Sequence, residues 1–238
     1  MTVRGIRIGV LLAFALGLAL DPGCASGPRP IEYEARKGLP STADGLYRVR
    51  TRRVSAAFLK PEADFSQYDA VMIDPVRVSY KRGMLELDEQ DVERFQSIFQ
   101  QAFDSELSRS KVYRVVSLPG PRTLRVSGQI VNLVVRVPPF RGGEKNLVLD
   151  AGEMTLILDV RDSQSGEPLA RVADRRRIRP AGTELARGAA VSGLYESNPV
   201  NNWGAVREIC ADWARTLREA LDDLASLPVP PAPPRETN

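Results

Sequence analysis

"EMTLILDVRDSQSGEPLARVADRRRI", residues Glu153 to Ile178, decides the fold. In its first half Met154, Leu156, Leu158 and Val160 alternate with Glu153, Thr155, Asp159 and Arg161. Such alternation marks a strand with one dry face and one wet face. Asp162 to Glu167 carries the turn residues of a hairpin loop, so Pro168 to Ile178 is the returning strand. A one-sided sheet must bury its apolar face against a second layer. That layer has to come from elsewhere in the chain.

Two segments supply it. In "LDEQDVERFQSIFQQAFDSEL" (87–107), Val92, Phe95, Phe99, Ala102, Phe103 and Leu107 recur at helical spacing. Asp88 is placed to cap that helix, and the acids Glu86, Glu89, Asp91 and Glu93 suit the positive end of its dipole rather than a metal. Glu106 falls inside the apolar arc and is expected to reach past the sheet rim into water. The second helix is "NWGAVREICADWARTLREALDDL" (202–224). There Val206, Ile209, Cys210, Trp213, Leu217, Ala220, Leu221 and Leu224 form one apolar face.

The remaining strands are read from shorter signals. Tyr68 to Tyr80 is β-rich, with Pro75 marking a bend or an unpaired edge position. Tyr113 to Ser117 is a short strand. Thr123 to Val137 is a long one whose apolar positions change parity, which predicts a bulge near Ile130 and Val131. The expected fold is α+β: a two-layer sandwich with a mixed or antiparallel sheet of about five strands, two helices on one face, and the order βαββββα.

The ends of the chain read differently. Arg4 and Arg7 precede an uncharged run from Ile8 to Leu20. As a helix that run spans about 20 Å, too short for a bilayer core of ~30 Å and suited to a secretion signal. Cys24 follows it at the position of a lipidated first residue, preceded by Gly23. Ala25 after the cysteine favours the outer membrane over the inner one. The rival reading is cleavage after Ala25, which gives a soluble periplasmic protein. The expected organisation is a signal peptide over 1–23, a flexible tether over 24–52, one domain over 53–227, and a Pro-rich disordered tail over 228–238.

Composition excludes several functions. The 238 residues are 43% hydrophobic and 26% charged, an ordinary globular balance, and the net charge of +3 is too slight to point to nucleic acid. There is no histidine, which removes Ser-His-Asp and Cys-His catalysis and His-liganded zinc. Of two cysteines, only Cys210 remains in the domain, where it reads as an inert core thiol. Ser108 to Lys111 matches a Ser-x-x-Lys pattern without the partner motifs such an enzyme needs. Arg141 to Lys145 lacks phosphate-loop spacing and reads as a turn. No cofactor or metal is expected.

The best-defined polar feature is Arg175, Arg176, Arg177 and Arg179. It reads either as a patch for lipid phosphates or cell-wall carboxylates, or as charge that protects a sheet edge. Ala186 to Asn202 is small and apolar without a period, either an edge cover or a partner surface.

"YDAVMIDPVRV", "DSQSGEPLARVADRR" and "NWGAVREICADWARTLREALDDL" together resemble a family of Gram-negative lipoproteins classified only as a domain of unknown function. The similarity covers about Phe58 to Leu227. It implies an envelope lipoprotein and carries over no catalytic residue. The expectation is a non-catalytic protein on the periplasmic face of the outer membrane, held in the bilayer by acyl chains on Cys24. Its partner would be another envelope protein or a cell-wall component. The alternative is an envelope hydrolase acting on cell-wall or lipid substrates.

Overall fold

The computed structural model describes residues 31–34, 41–80, 87–135, 147–148, 151–179, 195–196 and 199–229. Its strands are β1 (Tyr47–Val49), β2 (Ala56–Leu59), β3 (Ala70–Ile73), β4 (Arg77–Tyr80), β5 (Arg114–Val115), β6 (Thr123–Val135), β7 (Leu147–Val148), β8 (Gly152–Asp162), β9 (Pro168–Ile178) and β10 (Tyr195–Glu196). The helices are α1 (Glu89–Leu107) and α2 (Pro199–Ser226). The main sheet has eight strands in the order β1-β2-β9-β8-β6-β3-β5, with β4 also paired to β6. β3, β4 and β5 run parallel to their neighbours and the other pairs are antiparallel, so the sheet is mixed.

The α+β class and the two helices are as the sequence predicts, but the sheet has eight strands rather than five. The extra ones are short. β1 and β2, three and four residues long, offer too few positions for a period to show, and β4 is the second half of the Tyr68–Tyr80 run, split from β3 at Pro75. β1 also corrects the tether expected over 24–52. Its residues Tyr47 to Val49 pair with Leu59 to Ala57, and Tyr33 bridges Val49. From Ser41 onward that segment belongs to the domain. Residues 1–30 and 230–238 lie outside the described residues.

One face of the sheet is the core. Met154, Leu156, Leu158 and Val160 of β8 and Leu124, Val126 and Ile130 of β6 are all buried. Against them lie Phe95, Phe99, Phe103 and Leu107 of α1, and Trp203, Val206, Cys210, Trp213, Leu217 and Leu221 of α2. Phe99 and Phe103 stack at 4.1 Å between ring centroids. Each such side chain contributes roughly 1.5–3 kcal/mol through burial, which is why α1 holds although it offers few other core residues. Asp88 caps it as expected, its carboxylate accepting from the Asp91 amide at 2.8 Å. Gly128 lets α1 approach. A Cβ there would sit 3.0 Å from Phe99 Cζ.

The parity change in β6 is a register shift between Val131 and Val134, with Asn132 at a positive φ of 54°. The extra residue turns both Leu133 and Val134 into buried positions. Glu106 does not reach water. It is 7% exposed and accepts from Arg109 Nη1 at 2.8 Å and Arg218 Nε at 3.3 Å. The ion pair with α2 compensates its burial. Among the described residues, no helix is long and apolar enough to cross a membrane.

Candidate functional site

The face of the sheet away from the helices is polar because the strands alternate. Along β6, Leu124, Val126 and Ile130 point to the core, so Arg125, Ser127 and Gln129 point the other way. β8 contributes Arg161 and Asp159 to this open face. Antiparallel pairing sets Arg125 directly opposite Arg161 and Ser127 opposite Asp159.

A break in one strand opens a cleft here. β3 and β4 both run along β6, pairing with Thr123–Val126 and with Gln129–Leu133 respectively. Pro75 lies between them and has no N–H to give the ladder, so pairing lapses opposite Ser127 and Gly128. The Asp74 side chain occupies the gap. Its Oδ2 accepts from Arg125 Nε at 2.8 Å and from the Ser127 hydroxyl at 2.6 Å. The resulting cleft, of about 430 Å³, is bounded by Asp74, Arg77, Arg125 and Ser127 on one side and by Arg161 to Ser163 with Gly166 on the other.

Both cleft carboxylates are held as anions. Burial alone would raise the Asp74 carboxyl, but hydrogen bonds from Arg125 and Ser127 and the charges of Arg125 and Arg77 keep it below its ordinary value. Burial pulls Asp162 upward in the same way. Hydrogen bonds from the Ser165 amide and hydroxyl, the Gln164 amide and the Tyr68 hydroxyl outweigh that pull and hold it low. A general acid needs the opposite shift. The cleft therefore carries fixed charge near neutral pH and stores no proton there.

The four arginines named from the sequence do not converge. Side chains alternate along β9, so Arg176 turns toward the helices with Asp174, while Arg175 and Arg177 turn to the open face. Arg176 binds Asp174 Oδ2 through Nε at 2.6 Å and Asp212 of α2 through Nη2 at 3.1 Å. It is a structural bridge. Arg175 is paired with Glu153, its cross-strand neighbour but one. Arg177 and Arg179 are exposed. β2 covers β9 only from Ala170 to Ala173. From Arg175 onward, β9 has β8 on one side and no other strand beside it among the described residues.

The other sequence candidates resolve simply. Cys210 is fully buried, and burial pushes its thiol up to about 12. Ser108 is the C-cap of α1 and donates to the Asp104 carbonyl at 2.6 Å, while Lys111 points to solvent. Asp88, Glu89 and Asp91 form the capped first turn, and no group of three potential metal ligands occurs among the described residues. Cys24, Glu86, Arg141 to Lys145 and most of Ala186 to Asn202 lie outside the described residues. Asp74, Arg77, Arg125, Ser127 and Arg161 escape a reading of the sequence. Their one visible signal is Pro75 inside a β-rich run.

Residues 37–217 match the family described as Protein of unknown function (DUF3313). No curated protein matches the chain. Among solved structures, protein XCC0632 from Xanthomonas campestris is similar at 8% identity with a TM-score of 0.41, covering 82% of this chain and 95% of its own. The PelC dodecamer from Paraburkholderia phytofirmans has 11% identity and a TM-score of 0.34, covering 68% and 94%. The hypothetical protein CT253 from Chlamydia trachomatis has 8% identity and a TM-score of 0.35, covering 67% and 98%.

Proposed function

The chain belongs to the DUF3313 family, and on that premise we propose that it is a non-catalytic lipoprotein of the outer membrane that binds another component of the cell envelope. Acyl chains on Cys24 hold it in the bilayer, and the open face of its sheet meets the partner. The observation that carries the binding reading is the charge state of the cleft. Asp74 and Asp162 are both held ionised by donors, the chain has no histidine, and its domain cysteine is buried. A site with neither a poised proton donor nor an activated nucleophile is suited to holding a ligand. The anchor rests on sequence: Arg4 and Arg7, the run from Ile8 to Leu20, and Cys24 followed by Ala25.

Two experiments test the two halves. Cells fed labelled palmitate should label the protein, and Cys24→Ala should remove the label. An unlabelled protein beginning at Ser26 would overturn the anchor. For binding, a photo-crosslinker at exposed Ser165, beside the cleft, should capture one envelope component in living cells. The same probe at exposed Gln101, on the outer side of α1, should not. Equal yields from both positions would sink the open-face assignment.

A further inference from the structure

Arg125 and Arg161 stand directly opposite each other on β6 and β8. Like charges in that register repel, with their Cβ atoms roughly 5 Å apart. Local acids neutralise them only in part. Arg125 gives Nε to Asp74, and its two terminal nitrogens make no hydrogen bond among the described residues. Arg161 gives Nη1 to the Gly166 carbonyl at 3.2 Å, with Asp44 and Asp159 4.0 Å and 3.9 Å from Nη2. Arg77 is exposed on the same cleft and has no hydrogen bond or ion pair among the described residues. Asp162 is already occupied by the hairpin, accepting from the Gln164 and Ser165 amides and the Ser165 hydroxyl.

We propose that Arg77, Arg125 and Arg161 form a binding site for a phosphate group. This rests on the binding reading of the open face and names the chemistry of its ligand. Three guanidinium groups drawn from three strands surround a tetrahedral oxyanion better than a planar carboxylate, which one fork already satisfies. Asp74 acts as a positioning residue. By taking Arg125 Nε it leaves the outer edge of that guanidinium for the ligand.

The test is titration of the full-length protein in detergent with inorganic phosphate at neutral pH and low salt. Binding should saturate at one site. Arg77→Gln and Arg161→Gln should each weaken it at least fivefold, while Arg207→Gln, at an exposed site on α2, should leave it unchanged. Arg77 has no hydrogen bond to lose among the described residues, so that variant should also unfold close to the wild-type temperature. Mixed micelles of phosphatidylglycerol that displace phosphate would assign a lipid headgroup. Displacement by glycerol 3-phosphate alone would assign a soluble phosphomonoester. The proposal is overturned if phosphate fails to saturate, if both arginine variants bind as wild type, or if acetate displaces phosphate at equal concentration. Should phosphate fail while Ser165 still crosslinks, the ligand chemistry falls and the binding reading stands.

Discussion

Two carboxylates, Asp174 and Asp74, are each gripped by an arginine and a serine, on opposite faces of one sheet. Asp174 lies on the helix side at 4% exposure. Its Oδ1 accepts from the Ser55 amide at 2.9 Å and hydroxyl at 2.8 Å, and its Oδ2 from Arg176 Nε and from Trp213 Nε1 at 2.9 Å. All its acceptor capacity is spent, and it joins β9, α2 and the segment before β2. Among the described residues Asp74 accepts two hydrogen bonds, both on Oδ2, and it is only half-buried. Similar chemistry thus makes a closed structural joint where water is absent, and an open site where donors are left over.

The sharpest way to break this contrast is to delete each carboxylate. Asp174→Ala should cost about 3–5 kcal/mol, because it strands a buried indole N–H and the Ser55 donors and deprives Arg176 of one of two partners. Asp74→Ala should cost no more than about 1 kcal/mol, since its partners can turn to water. Urea unfolding of the two variants measures the difference. Equal losses would mean that the open-face cluster is structural after all.

Acid sharpens the same contrast. Burial raises the Asp174 carboxyl, but hydrogen bonds from Trp213, Arg176 and Ser55 overcome it and leave the folded value below the ordinary 3.8. A depressed carboxylate contributes stability above its unfolded pKa and loses it as pH falls through the folded value. Wild-type stability should therefore drop steeply below about pH 4. Asp174→Asn should flatten that drop, and Asp74→Asn should leave most of it. Some slope should remain from Asp44, which is also held low. Thermal unfolding between pH 2 and 7 reads both curves.

A third probe is Cys210, on the dry side with Asp174 but with no polar partner among the described residues. Cys210→Ser should cost about 1–3 kcal/mol by burying a hydroxyl that lacks a reliable acceptor. The native thiol should resist alkylating reagents until denaturant is added. Rapid modification of the folded protein would show that the helix side opens more readily than its packing implies.

What the sequence discloses follows from how far a pattern runs. Phe95, Phe99 and Phe103 announce α1 because the spacing persists for several turns, and Met154 to Val160 announce β8 because alternation lasts four pairs. The Arg175–Arg179 cluster looks like one feature in one dimension. The pleat deals Arg176 to the core face, so adjacency along the chain is separation in space. The cleft is harder still. Arg125 and Arg161 meet through the register of β6 on β8, which no tight turn joins, so no loop length fixes it. Trp213 reads as plain core, and nothing in its spacing reveals that its N–H seeks an aspartate 39 residues away.

The partial cover that β2 gives β9 has a consequence for the order of folding. β8 and β9 are joined by the short Ser163–Glu167 loop, whereas seating Ser55 on Asp174 closes a loop of 119 residues. Loop-closure entropy favours the hairpin first and the β1–β2 unit late. Until β2 arrives, the whole outer edge of β9 is bare and able to template pairing with another unfinished chain. Arg171, Arg175, Arg176 and Arg177 lie along it, so two such strands would meet charge against charge. Residues that are divided between two faces in the finished protein guard a single edge while it is being made.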